Sequence, residues 1–152
     1  MITNQTTTEE AAGLIAGDCL AMRVRLLNRR ITSVYDEAFR PLGMTASQVT
    51  ILVAIIKRNG MAAVELGQLL SIEKSTLSRN LKRMQKAGWI KIESTGREQR
   101  ITVSTSGRSI LRKAFPRWEE AQRASRKLLG HHEARTFKDM VDAVRSKESK
   151  GE

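Results

Sequence analysis

The sequence predicts a mainly α-helical protein with one small β-hairpin, a winged helix-turn-helix carried between long N- and C-terminal helices. Three observations predict it. Apolar residues recur at helical spacing along most of the chain. Two helical segments near the middle are separated only by Ser71 and Ile72, the spacing of a helix-turn-helix. Two alternating apolar–polar segments, 89–93 and 100–104, follow at once and read as paired strands.

The elements follow in order. Thr7 and Glu10 match a capping box, a hydroxyl with a carboxylate three residues on. Leu20, Val24, Leu27, Ile31, Val34, Tyr35 and Ala38 continue at helical spacing until Pro41 and Gly43 end the run, which predicts one helix of about thirty residues. Thr45 and Gln48 form a second capping box. The helix that follows has Val49, Ile51, Leu52, Val53, Ile55 and Ile56 on most of its sides and is expected at the centre of the core. The tripeptide Arg58, Asn59, Gly60 is its stop. Val64, Leu66, Leu69 and Leu70 mark a short helix, and residues 73–87 a second one ended by Gly88. Residues 94–99, polar and glycine-containing, are the loop of the hairpin. Ser104 is an N-cap for a long helix through Ile110, Leu111, Ala114, Trp118, Ala121, Ser125 and Leu128, with a bend expected at Pro116 and a break at Gly130. A last helix carries Ala134, Phe137, Met140, Val141 and Val144 on one face, and the polar tail from Ser146 is expected to fray.

Charge is concentrated rather than spread. The chain carries +11, of which residues 74–100 hold +6 and residues 101–152 hold +5, while residues 1–73 are neutral. Such a local density suits a polyanion, because neutralising phosphates releases condensed counterions. On the helix at 73–87, Leu77, Leu81 and Met84 share a narrow arc, and Ser75, Arg79, Lys82 and Lys86 cluster opposite, flanked by Thr76, Ser78 and Arg83. The apolar arc can dock the helix while the basic, hydroxyl-rich face enters a DNA major groove. There Arg reads guanine, Ser and Thr bond either base type, and Lys neutralises phosphate. Arg97 at the hairpin tip is placed to reach a narrow minor groove, where negative potential is focused.

Other classes find little support. No run of eighteen apolar residues is present, the start has neither the basic nor the apolar region of a signal peptide, and a single cysteine, Cys19, builds no disulfide framework; a cytoplasmic protein without membrane contact is expected. Two histidines, His131 and His132, are adjacent, so they diverge by about 100° on a helix and make a poor metal pair. No nucleophile–base pair or phosphate loop is visible, so neither an enzyme nor a cofactor is expected. The alternative to gene control is a winged helix used for architecture or protein contacts.

In this order the motifs resemble the MarR family of transcription regulators, from about Leu20 to Val144. Ser75, Thr76, Leu77, Ser78 and Arg79 stand where that family begins its recognition helix, and residues 86–90 lead into the wing. The wing signature, Asp-x-Arg-Asp/Glu-x-Arg followed by a strand and Leu-Thr-x-x-Gly, is matched at Arg97, Glu98, Arg100, Ser104 and Gly107. Ser104 replaces the usual Thr, Thr95 stands where Asp is usual, and Gly67 replaces a common Ala. The resemblance implies a homodimer on a palindromic operator, usually a repressor, released in many members by a small aromatic effector. It implies one domain over 1–152, with a DNA-binding core at about 45–105 and dimerisation helices at about 8–42 and 105–146. Base contacts fall to Ser75, Thr76, Ser78 and Arg79, phosphate contacts to Lys74, Lys82 and Arg83, and the minor groove to Arg97; Arg100 either braces the wing or meets phosphate. Some relatives sense peroxide through a thiol on the first helix, but Cys19 lies about a turn and a half too early for that, and Tyr35 is the only tyrosine.

Overall fold

The computed structural model describes residues 6–95 and 98–150. Two compact units divide the chain, Met1–Ser33 and Val34–Glu152. Among the described residues, no single helix is long and apolar enough to cross a membrane.

The first unit holds α1 (Thr8–Asp18) and the start of α2 (Leu20–Phe39). Thr7 and Glu10 close the expected capping box, the Glu10 N–H donating to Thr7 Oγ1 at 3.2 Å and the Thr7 N–H to Glu10 Oε2 at 2.9 Å. The single long helix expected from Thr7 onward is not formed. It breaks at Cys19, whose backbone is extended at φ −66° and ψ 110°. The local sequence explains this. Gly17 weakens the last turn, and Asp18 puts a negative charge at the negative end of the helix dipole with no basic residue within that turn. The Arg23 guanidinium donates to the Gly17 carbonyl. Leu14 and Ile15 on α1, with Leu20, Met22, Val24 and Leu26 on α2, are exposed.

In the second unit, α2 ends at the buried Phe39, and a 3₁₀ turn (Arg40–Leu42) closes on Gly43 in the left-handed conformation. α3 (Ala46–Lys57) starts from the Thr45–Gln48 capping box, and Asp36 Oδ1 accepts the Ala46 N–H at 2.7 Å. Its Ile51, Leu52 and Ile55 are almost fully buried, so α3 is the central helix its apolar surround predicts. It packs against α4 (Ala63–Leu70), α5 (Lys74–Lys86), β2 (Glu98–Val103) and α6 (Thr105–Leu129). Leu66, Leu77, Leu81, Met84, Ile90, Ile101 and Ala114 complete the core from every side.

β1 (Ile90–Thr95) pairs antiparallel with β2 from Ile90 opposite Val103 to Thr95 opposite Glu98. The strands are longer than the alternation indicated, reaching Thr95 on one side and starting at Glu98 on the other. Polar residues on both faces of the projecting ends hide the strand period. Arg97, expected at the tip, lies outside the described residues. α6 is a single helix through Pro116, capped by Ser104. α7 (His131–Lys150) continues through the tail that was expected to fray. Its polar residues include the Lys138–Asp142 pair at 3.5 Å, one turn apart, which supports a solvated helix.

The Tyr35 hydroxyl donates to Gln122 Oε1 on α6, and burial pushes its phenol above the ordinary 10.0, against the opposing pull of the Ser125 hydroxyl and the Arg126 charge. An acid raised on folding contributes stability that is full below its unfolded value and is lost as pH rises through the folded one. Absorbance titration of this sole tyrosine should therefore give a midpoint above pH 10.0 in the folded protein and near it in denaturant; coincident midpoints would contradict the buried phenol. Gly67 offers a second check. A Cβ there meets Leu77 Cδ2 at 3.4 Å and the Ile72 carbonyl at 3.5 Å, ordinary contact distances. Gly67→Ala should raise the unfolding free energy by about 0.5–1 kcal/mol in urea titration, and a decrease would mean that the turn needs the glycine.

Candidate nucleic-acid interface

The turn between α4 and α5 is made by Ser71 in the left-handed conformation, φ 51°, with the Ile72 N–H donating to the Gly67 carbonyl at 3.0 Å. α5 then starts at Lys74. Its N-cap, Glu73, makes no side-chain cap bond, and its first turn holds no acidic residue. The first N–H groups of α5 thus carry no side-chain cap. Leu77, Leu81 and Met84 are buried against the core, and Lys74, Ser75, Thr76, Ser78, Arg79, Lys82 and Arg83 are all exposed. The structure therefore places every sequence-predicted α5 residue on the side away from the core.

The exposed side chains are partly ordered by the helix itself. Arg79 folds back along α5, Nε donating to the Ser75 carbonyl at 3.2 Å and a terminal nitrogen reaching Thr76 Oγ1 at 3.5 Å. Asn80, which the sequence pattern does not single out, joins two elements. Its amide donates to the Thr76 carbonyl at 3.1 Å and reaches Ser47 Oγ at the start of α3 at 3.5 Å. An asparagine at the edge of a basic helix face gives no sequence signal that separates it from a solvent-facing one.

The hairpin root is anchored independently. Met61 forms a β-bridge with Ile101, with paired N–H···O bonds of 3.1 and 2.9 Å. The Arg100 guanidinium donates to the Asn59 carbonyl at 2.7 Å, across the bend where Asn59 and Gly60 both have positive φ. Of the two roles open to Arg100, the brace is the one its hydrogen bond fits. Between α5 and the hairpin lies an open groove of about 970 Å³, walled by Ser78, Lys82 and Gln85 on one side and Ser94 and Gln99 on the other, with Ile92 in its lining. Among the described residues no cluster of three or more His, Cys, Asp or Glu could hold a metal; His131 and His132 stand at the start of α7.

Residues 42–101 match the MarR family model. The chain is 27% identical over 94 residues to the multiple antibiotic resistance protein MarR of Escherichia coli K12, an alignment covering 60% of this chain and 65% of that relative's length. Among solved structures, the M. tuberculosis transcriptional regulator MosR in complex with DNA is similar at a TM-score of 0.72 and 28% identity, covering 87% of this chain and 98% of that one. A mutant E. coli MarR complexed with operator DNA is similar at a TM-score of 0.75 and 22% identity, covering 86% and 96%. The chain thus has the fold of these winged-helix structures, and its residues 42–101 match the MarR family.

Proposed function

We propose that the chain is a sequence-specific DNA-binding regulator, a repressor that reads a palindromic operator as a homodimer in the cytoplasm and is released by a small aromatic effector. The carrying observation is the division of α5: one arc buried in the core, the opposite face exposed, basic and hydroxyl-bearing. Ser75, Thr76, Ser78 and Arg79 take the base edges, Lys74, Lys82 and Arg83 the phosphates, and Arg97 the minor groove. Arg100 braces the wing through Asn59. The DNA-bound state of MosR supports the same use of this fold.

The homodimer rests on apolar surface. Phe115, Trp118 and Leu128 on α6 and Phe137, Met140, Val141 and Val144 on α7 are exposed, with Phe115 and Trp118 stacked at 5.7 Å. Helices bearing that much uncovered apolar surface fit a two-fold partner, and two recognition helices then meet half-sites roughly 34 Å apart. Residues of about 45–105 form the DNA-binding core and the helices on either side the dimer arms. An effector would act by changing the separation of the two α5 helices.

Selection of bound sites from random duplexes should return a palindrome; weak binding without a preferred sequence would favour an architectural role. Arg79→Ala should cost about 1–3 kcal/mol per half-site and broaden the choice of base, and an unchanged operator preference removes Arg79 from the readout. Lys82→Ala should weaken all duplexes alike and lower the slope of log affinity against log salt by about one for each phosphate no longer neutralised. A slope identical to wild type would mean that Lys82 meets no phosphate.

A further inference from the structure

We infer that Ser104 and Gly107 are positioning residues for DNA readout: they clasp the C-terminal end of the recognition helix α5 to the first turn of α6, so that the pose of α5 is set by α6. The DNA part of this rests on the reading above; the clasp itself does not. It is built from a short continuous set of bonds. The Trp89 N–H donates to the Met84 carbonyl in the last turn of α5 at 2.9 Å. The Trp89 carbonyl in turn accepts the Ser104 N–H at 3.0 Å. Ser104 Oγ donates to the Gly88 carbonyl at 2.5 Å and accepts the Gly107 N–H at 3.0 Å. One hydroxyl thus caps α6 and holds the corner where α5 ends.

Gly107 makes the approach possible. It is buried, and a Cβ there would run into the Trp89 carbonyl oxygen and press on Val103 Cγ1 at 2.7 Å. The obstacle is backbone, which cannot swing aside as a long side chain can. Gly88, with φ +74°, supplies the turn between the two ends. Every bond of the clasp involves either the corner at 88–89 or the α6 cap, and none reaches the wing tip. A displacement of the α6 start is therefore passed to the end of α5 through one backbone hydrogen bond, from the Ser104 N–H to the Trp89 carbonyl, and through the short Ser104 hydroxyl on the Gly88 carbonyl.

The test places nitroxides on Gln85→Cys in α5 and Arg112→Cys in α6, both exposed positions, in a Cys19→Ser background and diluted with unlabelled chain so that only distances within one chain are read. The native clasp should give one narrow distance distribution. Ser104→Ala should broaden it at least about twofold, and Ser104→Thr, which restores a capping hydroxyl, should return it to the native width. Affinity for a selected duplex should fall about tenfold in Ser104→Ala, because the cost of ordering α5 then comes out of binding, and recover in Ser104→Thr. A Ser104→Ala distribution superimposable on the native one overturns the clasp, whatever DNA does. A broadened distribution with unchanged affinity and half-site spacing overturns its positioning role. A broadened distribution in a protein that prefers no duplex supports the clasp and removes the DNA reading instead.

Discussion

Everything in this molecule depends on holding α5 by one side only. Its buried arc is three residues wide, Leu77, Leu81 and Met84, each 6% exposed or less. Burying three such side chains contributes on the order of 5–8 kcal/mol, an upper figure because the unfolded chain already hides part of that surface. That is enough to dock a helix of thirteen residues that also carries five basic side chains, whose mutual repulsion would weaken it in isolation. A wider apolar face would have anchored it more firmly and left fewer positions for polar readout.

The narrow anchor explains the supports around it. Asn80 ties the side of α5 to the start of α3, the Ser71 turn fixes its beginning, and the corner at Gly88 and Trp89 fixes its end. The hairpin shares the corner at Trp89 and has further anchors of its own, the Met61–Ile101 bridge and the Arg100–Asn59 bond. α5 and the hairpin are thus each fixed by named bonds to the same core.

Much of this was legible in the residues because period and punctuation agreed. The buried arc of α5, the central place of α3, both capping boxes and the Ser104 cap follow from spacing alone. The misses have physical causes. The break at Cys19 is easy to miss because the capping box at Thr7 and the stripe from Leu20 can be joined into one helix; the signals against it are the weak turn made by Gly17 and Asp18 and the positions of Leu14 and Ile15, six and five residues before Leu20 and off helical spacing. The strands outran the visible alternation because Ser94 and Gln99 are polar on a hairpin end that no core covers. The helical tail after Ser146 was misjudged from polarity, which marks solvation and not disorder. Asn80 and the linkage through Ser104, Gly88 and Trp89 depend on contacts between segments, which no local pattern encodes.

On the proposed reading, the exposed face of α5 lies in the DNA groove, twice per site. A chelated iron centre attached at Gln85→Cys, on the rim of that face in a Cys19→Ser background, would report it directly by cleaving nearby strands of a bound duplex. The account predicts two compact clusters of cleavage, related by two-fold symmetry and separated by about one helical turn, roughly 10 base pairs. Scattered cleavage along the duplex, or none at all while the protein is bound, would contradict it.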